Sequence, residues 1–217
     1  MAAPRQDATI SPRLVTALDR TWAAIMARHP DVPAVVIALG SGSGNGRRLK
    51  LGHFAPDRWQ RGGGRMPELF VGGEGLAKGA RDVLGTLLHE AAHGVATARG
   101  IQDTSRQGRF HNTRYRALAE ELGLAVAKAD SIGWSDTTVP DATAALYRPE
   151  LRRLDEALVA WRHADGHGRG GRASNNNGVA ARCSCGRRIR VAESVLEAGP
   201  ITCGLCGTDF EAVASAG

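Results

Sequence analysis

The run His89-Glu90-Ala91-Ala92-His93 places two imidazoles and a carboxylate at helical spacing. In an α-helix, residues i and i+4 lie one above the other, so His89 and His93 can grip one ion while Glu90 faces the remaining coordination position. This is the H-E-x-x-H pattern of zinc-dependent peptidases. Zinc lowers the pKa of its water to about 7, and a carboxylate beside it can take the proton and pass it to the leaving amine. Glu90 is therefore the candidate general base and acid. With 7 His and 10 Glu in 217 residues, a shuffled chain would carry the pattern with odds on the order of one in a hundred. The competing reading is a polar stripe on an ordinary surface helix. Against it, Val83, Leu84, Leu87, Leu88, Ala91, Ala92 and Val95 recur at helical spacing. They predict a buried helix, on which His-Glu-His needs a partner.

A catalytic zinc takes a third protein ligand, and His111, Glu120 and Glu121 are the downstream candidates. His111 is favoured because it falls in a loop just before a helix that Asn112 can cap, with Tyr115, Leu118, Ala119 and Leu122 turned inward. The two glutamates read equally well as a solvated face near a helix end. A second constellation closes the chain: Cys183-Ser184-Cys185-Gly186 and Cys203-Gly204-Leu205-Cys206-Gly207. Two cysteine pairs, each followed by glycine and separated by a strand and a short helix, form the pattern of a zinc ribbon. The glycines permit tight knuckles, and four sulfurs close a tetrahedral shell with no open position, so this second zinc would be structural. A pair of disulfides is the alternative, but all four cysteines fall in the motif and nothing points to an oxidising compartment.

The elements that must position these groups can be read coarsely. A first helix is expected from Ser11 as cap, with Pro12 in its first turn, to near Pro30, burying Leu14, Val15, Leu18, Trp22, Ile25 and Met26. Strands are expected over 33–39, 49–54 and 68–71, with a glycine-rich loop at 40–46. The motif helix should run from about Leu76 to Ala98 and stop at Gly100. A later helix, from Pro149 to about Ala164, would bury Leu151, Leu154, Leu158 and Trp161. Residues 165–178 contain no apolar residue larger than alanine and read as a linker. The expected organisation is an α+β domain over 1–164, with a small sheet packed on the motif helix, then the linker and a ribbon over 179–213.

The strand 68–71, the helix bearing the motif, and Gly108-Arg109-Phe110-His111-Asn112-Thr113-Arg114-Tyr115 together resemble the SprT-like metallopeptidases, the group that includes Spartan. In that family the third zinc histidine sits in an H-G-x-x-F type element, which here reads His111-Asn112-Thr113-Arg114-Tyr115. Asn tolerates turn geometry and Tyr packs like Phe, so both departures are mild. SprT-like proteins commonly carry a zinc ribbon after the catalytic domain. The resemblance thus implies a zincin-like fold, a catalytic zinc on His89, His93 and His111, and a structural zinc on Cys183, Cys185, Cys203 and Cys206. It also implies a substrate that is protein bound or crosslinked to DNA.

Composition sets the context. No signal-peptide core occurs in residues 1–20, and the longest strongly apolar run, 34–39, is far too short to span a bilayer, so a cytoplasmic protein with no membrane partner is expected. The net charge of +6 suits a polyanion, and Arg182, Arg187, Arg188 and Arg190 cluster around the first cysteine knuckle as candidate DNA contacts. The same balance, 25 Arg to 3 Lys with 28 Gly, also fits a bias in genomic base composition, and Phe210 is the only aromatic of the ribbon. A strand beside the motif helix can align an extended substrate through backbone hydrogen bonds, which predicts weak cleavage specificity if residues 68–71 are that edge. Two other functions stay open: a nucleic-acid-binding adaptor on a non-catalytic peptidase scaffold, and a zinc peptidase with no DNA connection. His29, His53, His163 and His167 are assigned no role.

Overall fold

The computed structural model describes residues 9–42, 51–163 and 178–213. The fold is α+β and divides into two units, within 1–166 and within 167–217. Most of the expected linker at 165–178, and most of the loop at 40–46, lie outside the described residues.

The first unit opens with α1 (Ile10–Arg28), which buries Leu14, Leu18, Trp22 and Ile25 but also Ala17 and Thr21. Ser11 does not cap it. Thr9 occupies the cap without a side-chain bond, and Ser11 and Pro12 lie within the first turn, where the missing proline N–H has no partner to lose. Three strands follow: β1 (Val36–Gly40), β2 (Gly52–Arg61) and β3 (Gly64–Gly72). Their order is β1-β3-β2, with β3 parallel to β1 and antiparallel to β2. Residues 68–71 therefore form the middle of the sheet and not its edge; the edge strand against the motif helix is β2.

A 3-10 turn at Gly73–Lys78 leads into α2 (Ala80–Ala98). The motif helix begins four residues later than expected because Gly79 stands at φ 90°, ψ 172°, a conformation that interrupts the helix and that glycine alone adopts easily. Beyond α2 come β4 (Thr104–Ser105), β5 (Phe110–His111), α3 (Thr113–Glu121), β6 (Ala125–Ala129) and β7 (Gly133–Thr138). The four strands make a second sheet of order β4-β5-β7-β6. α4 (Asp141–Leu146) and α5 (Arg148–Ala157) complete the unit.

The last helix of this unit ends at Ala157, well short of 164, and Trp161 is 53% exposed instead of buried. The chain beyond the helix is held otherwise. The Arg162 amide donates to the Gly73 carbonyl (3.1 Å), and the Arg162 guanidinium meets Glu74 at 2.6 Å. Burial disfavours the Glu74 carboxylate, but the Gly42 amide, its own amide and Arg162 outweigh that cost and hold its pKa below the usual range. One core joins α1, α2, α5 and the inner face of the first sheet around Leu18, Ile25, Leu69, Leu87, Leu88 and Leu154, all essentially inaccessible.

The second unit contains β8 (Val179–Arg182), β9 (Arg188–Val191), α6 (Glu193–Ala198) and β10 (Glu211–Ala212), with an antiparallel order β10-β8-β9. Among the described residues its core consists of Ala181, Cys183, Cys203 and Phe210 with a few half-buried neighbours. Among the described residues no helix is long and apolar enough to cross a membrane.

Candidate metal centre and cleft

α2 carries His89 and His93 one turn apart. β5 delivers His111, and Asn112 then caps α3 by accepting from the Arg114 and Tyr115 amides (2.8 and 3.2 Å). His111 is set in place from the other side by β7. Its amide donates to the Ile132 carbonyl (2.9 Å), and it lies opposite Gly133. A Cβ on Gly133 would overlap the His111 carbonyl, and its φ of 74° favours glycine independently.

Each imidazole is held through Nδ1. His93 Nδ1 pairs with Asp103 Oδ2 at 2.5 Å, His111 Nδ1 with the Ile132 carbonyl at 3.2 Å, and His89 Nδ1 with Thr137 Oγ1 at 3.2 Å. A carboxylate and a carbonyl only accept, so His93 and His111 donate from Nδ1, which in a neutral imidazole leaves the inward-facing Nε2 as the lone pair available to a metal. Those two nitrogens face each other across 3.2 Å, and the three histidines bring one ring nitrogen each within 4.8 Å of the others. Two nitrogens bound tetrahedrally at 2.0–2.1 Å from zinc lie about 3.3 Å apart, so this donor set fits such an ion. Lone pairs aimed at one another in a half-buried site repel unless a cation lies between them.

Tyr115 forms the floor. Its buried ring sits 4.9, 4.7 and 4.4 Å from the centroids of His89, His93 and His111, and its hydroxyl points back to the His89 carbonyl (3.4 Å). Burial, with Glu90 and Asp103 nearby, pushes its phenol far above the ordinary range, and the neutral ring packs under the three imidazoles. Glu90 is 5% exposed and accepts the Phe54 amide of β2 on Oε2 at 2.8 Å. Gly52 makes this approach possible, since a Cβ there would lie 2.8 Å from Thr86 Cγ2 and 3.1 Å from Glu90 Oε1. The cluster opens into a cleft of about 740 Å³ lined by β2 (Gly52, Phe54, Pro56), α2, the β4–β5 turn and β7 (Ser135, Thr137, Thr138). His53 also reaches this lining, where it stacks on Phe70 at 5.0 Å and lies 3.5 Å from Glu68.

Glu120 and Glu121 are not brought to the cluster. They are exposed and pair with Arg116 and Arg99, each at 2.7 Å. The groups that aim the ligands, Asp103, Thr137 and the Ile132 carbonyl, belong to no motif; they become visible only when the chain is folded.

In the second unit all four cysteines are free thiols whose sulfurs lie within 4.8 Å of one another. Gly186 (φ 85°) and Gly207 (φ 71°) turn the two knuckles. The Thr208 hydroxyl and amide pull the Cys206 thiol down to about 5, whereas the neighbouring sulfurs outweigh the Arg187 amide and push Cys185 up to about 12. Four sulfurs packed so closely cannot all ionise without a cation, and the set suits a tetrahedral thiolate site. Arg182, Arg187, Arg188 and Arg190 are all exposed. Arg182 lies opposite Arg188 and Arg190 opposite Ala180, which puts three guanidiniums on one face of the sheet, while Arg187 donates to Cys203 Sγ at 3.6 Å. Compared with models of known protein families, with curated proteins and with solved structures, the chain matches none.

Proposed function

We propose that this protein is a zinc-dependent metalloendopeptidase of SprT-like type, with a zincin-like first unit and a zinc ribbon as its second. The observation that carries the reading is the convergence of three Nδ1-anchored imidazoles beside a buried carboxylate, at the floor of a cleft bounded by an edge strand. A zinc ion held by His89, His93 and His111 would polarise the scissile carbonyl and acidify a water. Glu90, its orientation fixed by the Phe54 amide, takes the proton of the attacking water and returns it to the departing amide nitrogen. The edge of β2 that pairs with no other described strand offers backbone groups to an extended chain, so the alignment role expected of residues 68–71 passes to β2. In the second unit, the exposed arginine face supports contact with DNA phosphates, and hence a substrate that is protein bound or crosslinked to DNA.

The test is cleavage of a DNA-crosslinked model protein by zinc-loaded wild type and Glu90→Gln, each with and without single-stranded DNA. Glu90→Gln should retain zinc and lose about 10²- to 10⁴-fold in turnover. Equal turnover in the two proteins would remove Glu90 from the mechanism. Cleavage without DNA would leave a general peptidase, and DNA binding with no cleavage would favour the adaptor.

A further inference from the structure

β2 and β3 run on past the core as a two-stranded arm closed by Gly62-Gly63, with Trp59 opposite Met66 and Arg61 opposite Gly64. Every residue from 56 to 65 is exposed. Between residues 56 and 65 the arm carries Arg58, Arg61 and Arg65 against Asp57, with the Glu68 carboxylate at its base accepting from Trp59, and none of the three arginines forms an ion pair among the described residues. Arg81, Arg99, Arg116, Arg153 and Arg162 of the same unit are paired with carboxylates, whereas Arg20, Arg114, Arg148 and Arg152 form no ion pair among the described residues, so the arm is set apart by three arginines and a tryptophan gathered on one hairpin. Trp59 stands on the same arm, 43% exposed. Ordered backbone that displays unpaired arginines and a half-exposed tryptophan has the composition of an interface centre, where both residue types are over-represented.

The arm is also continuous with the cleft. Pro56, at its foot, lines the cavity that holds Glu90, and β2 pairs only with β3, so its other edge is open along the described strands. A polypeptide following that edge from the Phe54 amide passes onto the arm. At about 3.3 Å per residue, Arg58 and Arg61 lie at most about 13 and 23 Å beyond Phe54, within reach of residues roughly four to seven positions from the bond being broken.

We propose that the β2–β3 arm is an exosite for an acidic stretch of the polypeptide whose neighbouring segment occupies the cleft, an inference that rests on the peptidase reading of that cleft. Arg58, Arg61 and Arg65 meet the carboxylates, and Trp59 covers apolar side chains between them. The anion is a polypeptide and not a single-stranded nucleic acid because the arm lacks successive stacking platforms. Phe70 and His53 stack on each other, and Trp59, whose indole N–H donates to Glu68 (2.9 Å), is the single aromatic ring among residues 56–65. Cleavage would then favour sites flanked on one side by Asp and Glu.

The experiment reads binding apart from turnover. Full-length Glu90→Gln protein, zinc-loaded, is titrated by fluorescence anisotropy with a neutral labelled peptide and with two versions carrying a run of Glu before or after the neutral core. One Glu-bearing version should bind about tenfold tighter than the neutral peptide. The triple substitution Arg58→Ser, Arg61→Ser, Arg65→Ser should erase that difference, as should high salt, while leaving the neutral peptide unaffected. These side chains are exposed and form no ion pair among the described residues, Arg61 reaching only the Met66 sulfur (3.9 Å), and circular dichroism of the triple variant verifies its fold. Equal affinity for all peptides, or a preference that survives the triple substitution, would overturn the exosite. Loss of oligothymidylate binding in the triple variant, with the Glu preference intact, would reassign the arm to nucleic acid. If the peptidase reading alone were wrong, the anisotropy differences would persist and wild-type protein would cleave none of the peptides.

Discussion

The three imidazoles owe their aim to partners outside the H-E-x-x-H pattern. Asp103 is the strongest of these, because a carboxylate on Nδ1 fixes the tautomer and the ring orientation of His93. Asp103→Asn keeps the shape and removes the charge, and it should lower metal affinity about 10- to 100-fold with little change in the melting temperature of the metal-free protein. Competition with a chromophoric chelator measures this, and undiminished affinity would deny Asp103 an orienting role. Such residues were not legible in the sequence for a physical reason. The spacing of His89, Glu90 and His93 is a property of one helix, and the placement of His111 before a capped helix is nearly as local. The contacts of Asp103, Thr137 and Ile132 exist only through space. Glu120 and Glu121 read in the sequence either as ligands or as a solvated helix face, and their arginine partners decide for the second.

At the scale of elements, the base depends on how closely β2 lies against α2, and Gly52 sets that distance. Gly52→Ala would force Thr86 Cγ2 or the strand to move, at a cost of about 1–3 kcal/mol in stability. It should also separate Glu90 from the Phe54 amide. Turnover at a temperature where the variant is fully folded should therefore fall as well, and a variant with wild-type turnover would show that this contact is dispensable. The arm was the element least legible in the sequence. Pro56, Gly62, Gly63, Gly64 and Pro67 punctuate the stretch as loop, yet Gly62-Gly63 is a two-residue hairpin turn, and β2 has a register shift between Ala55 and Trp59. β6 was missed because Ala-Val-Ala-Lys-Ala has the composition of a helix, and only its pairing with β7 makes it a strand. The helix after Pro149 ends early because the chain beyond Leu158 is tied to Gly73 and Glu74, contacts some ninety residues away in sequence.

For the whole molecule, the two units differ in what holds them. The first has an extended apolar core, while the second has four core residues among those described, two of them cysteines, so its folding free energy would come largely from the proposed metal. Both tyrosines of the chain lie in the first unit, each 1% exposed or less. Tyr115 titrates far above an ordinary phenol, and burial, opposed by Arg28 and reinforced by Glu150, pushes Tyr147 up to about 12. The fold thus favours the neutral phenols. Their contribution to stability is complete below the unfolded value of about 10 and is lost as pH rises through the folded values. Ultraviolet absorbance of tyrosinate should accordingly stay low across the normal phenol range and then rise together with the loss of helical circular dichroism. One phenol ionising near pH 10 in folded protein would contradict the burial of that residue. The floor beneath the histidines therefore doubles as an optical gauge, which follows the alkaline unfolding of the first unit and is blind to the second.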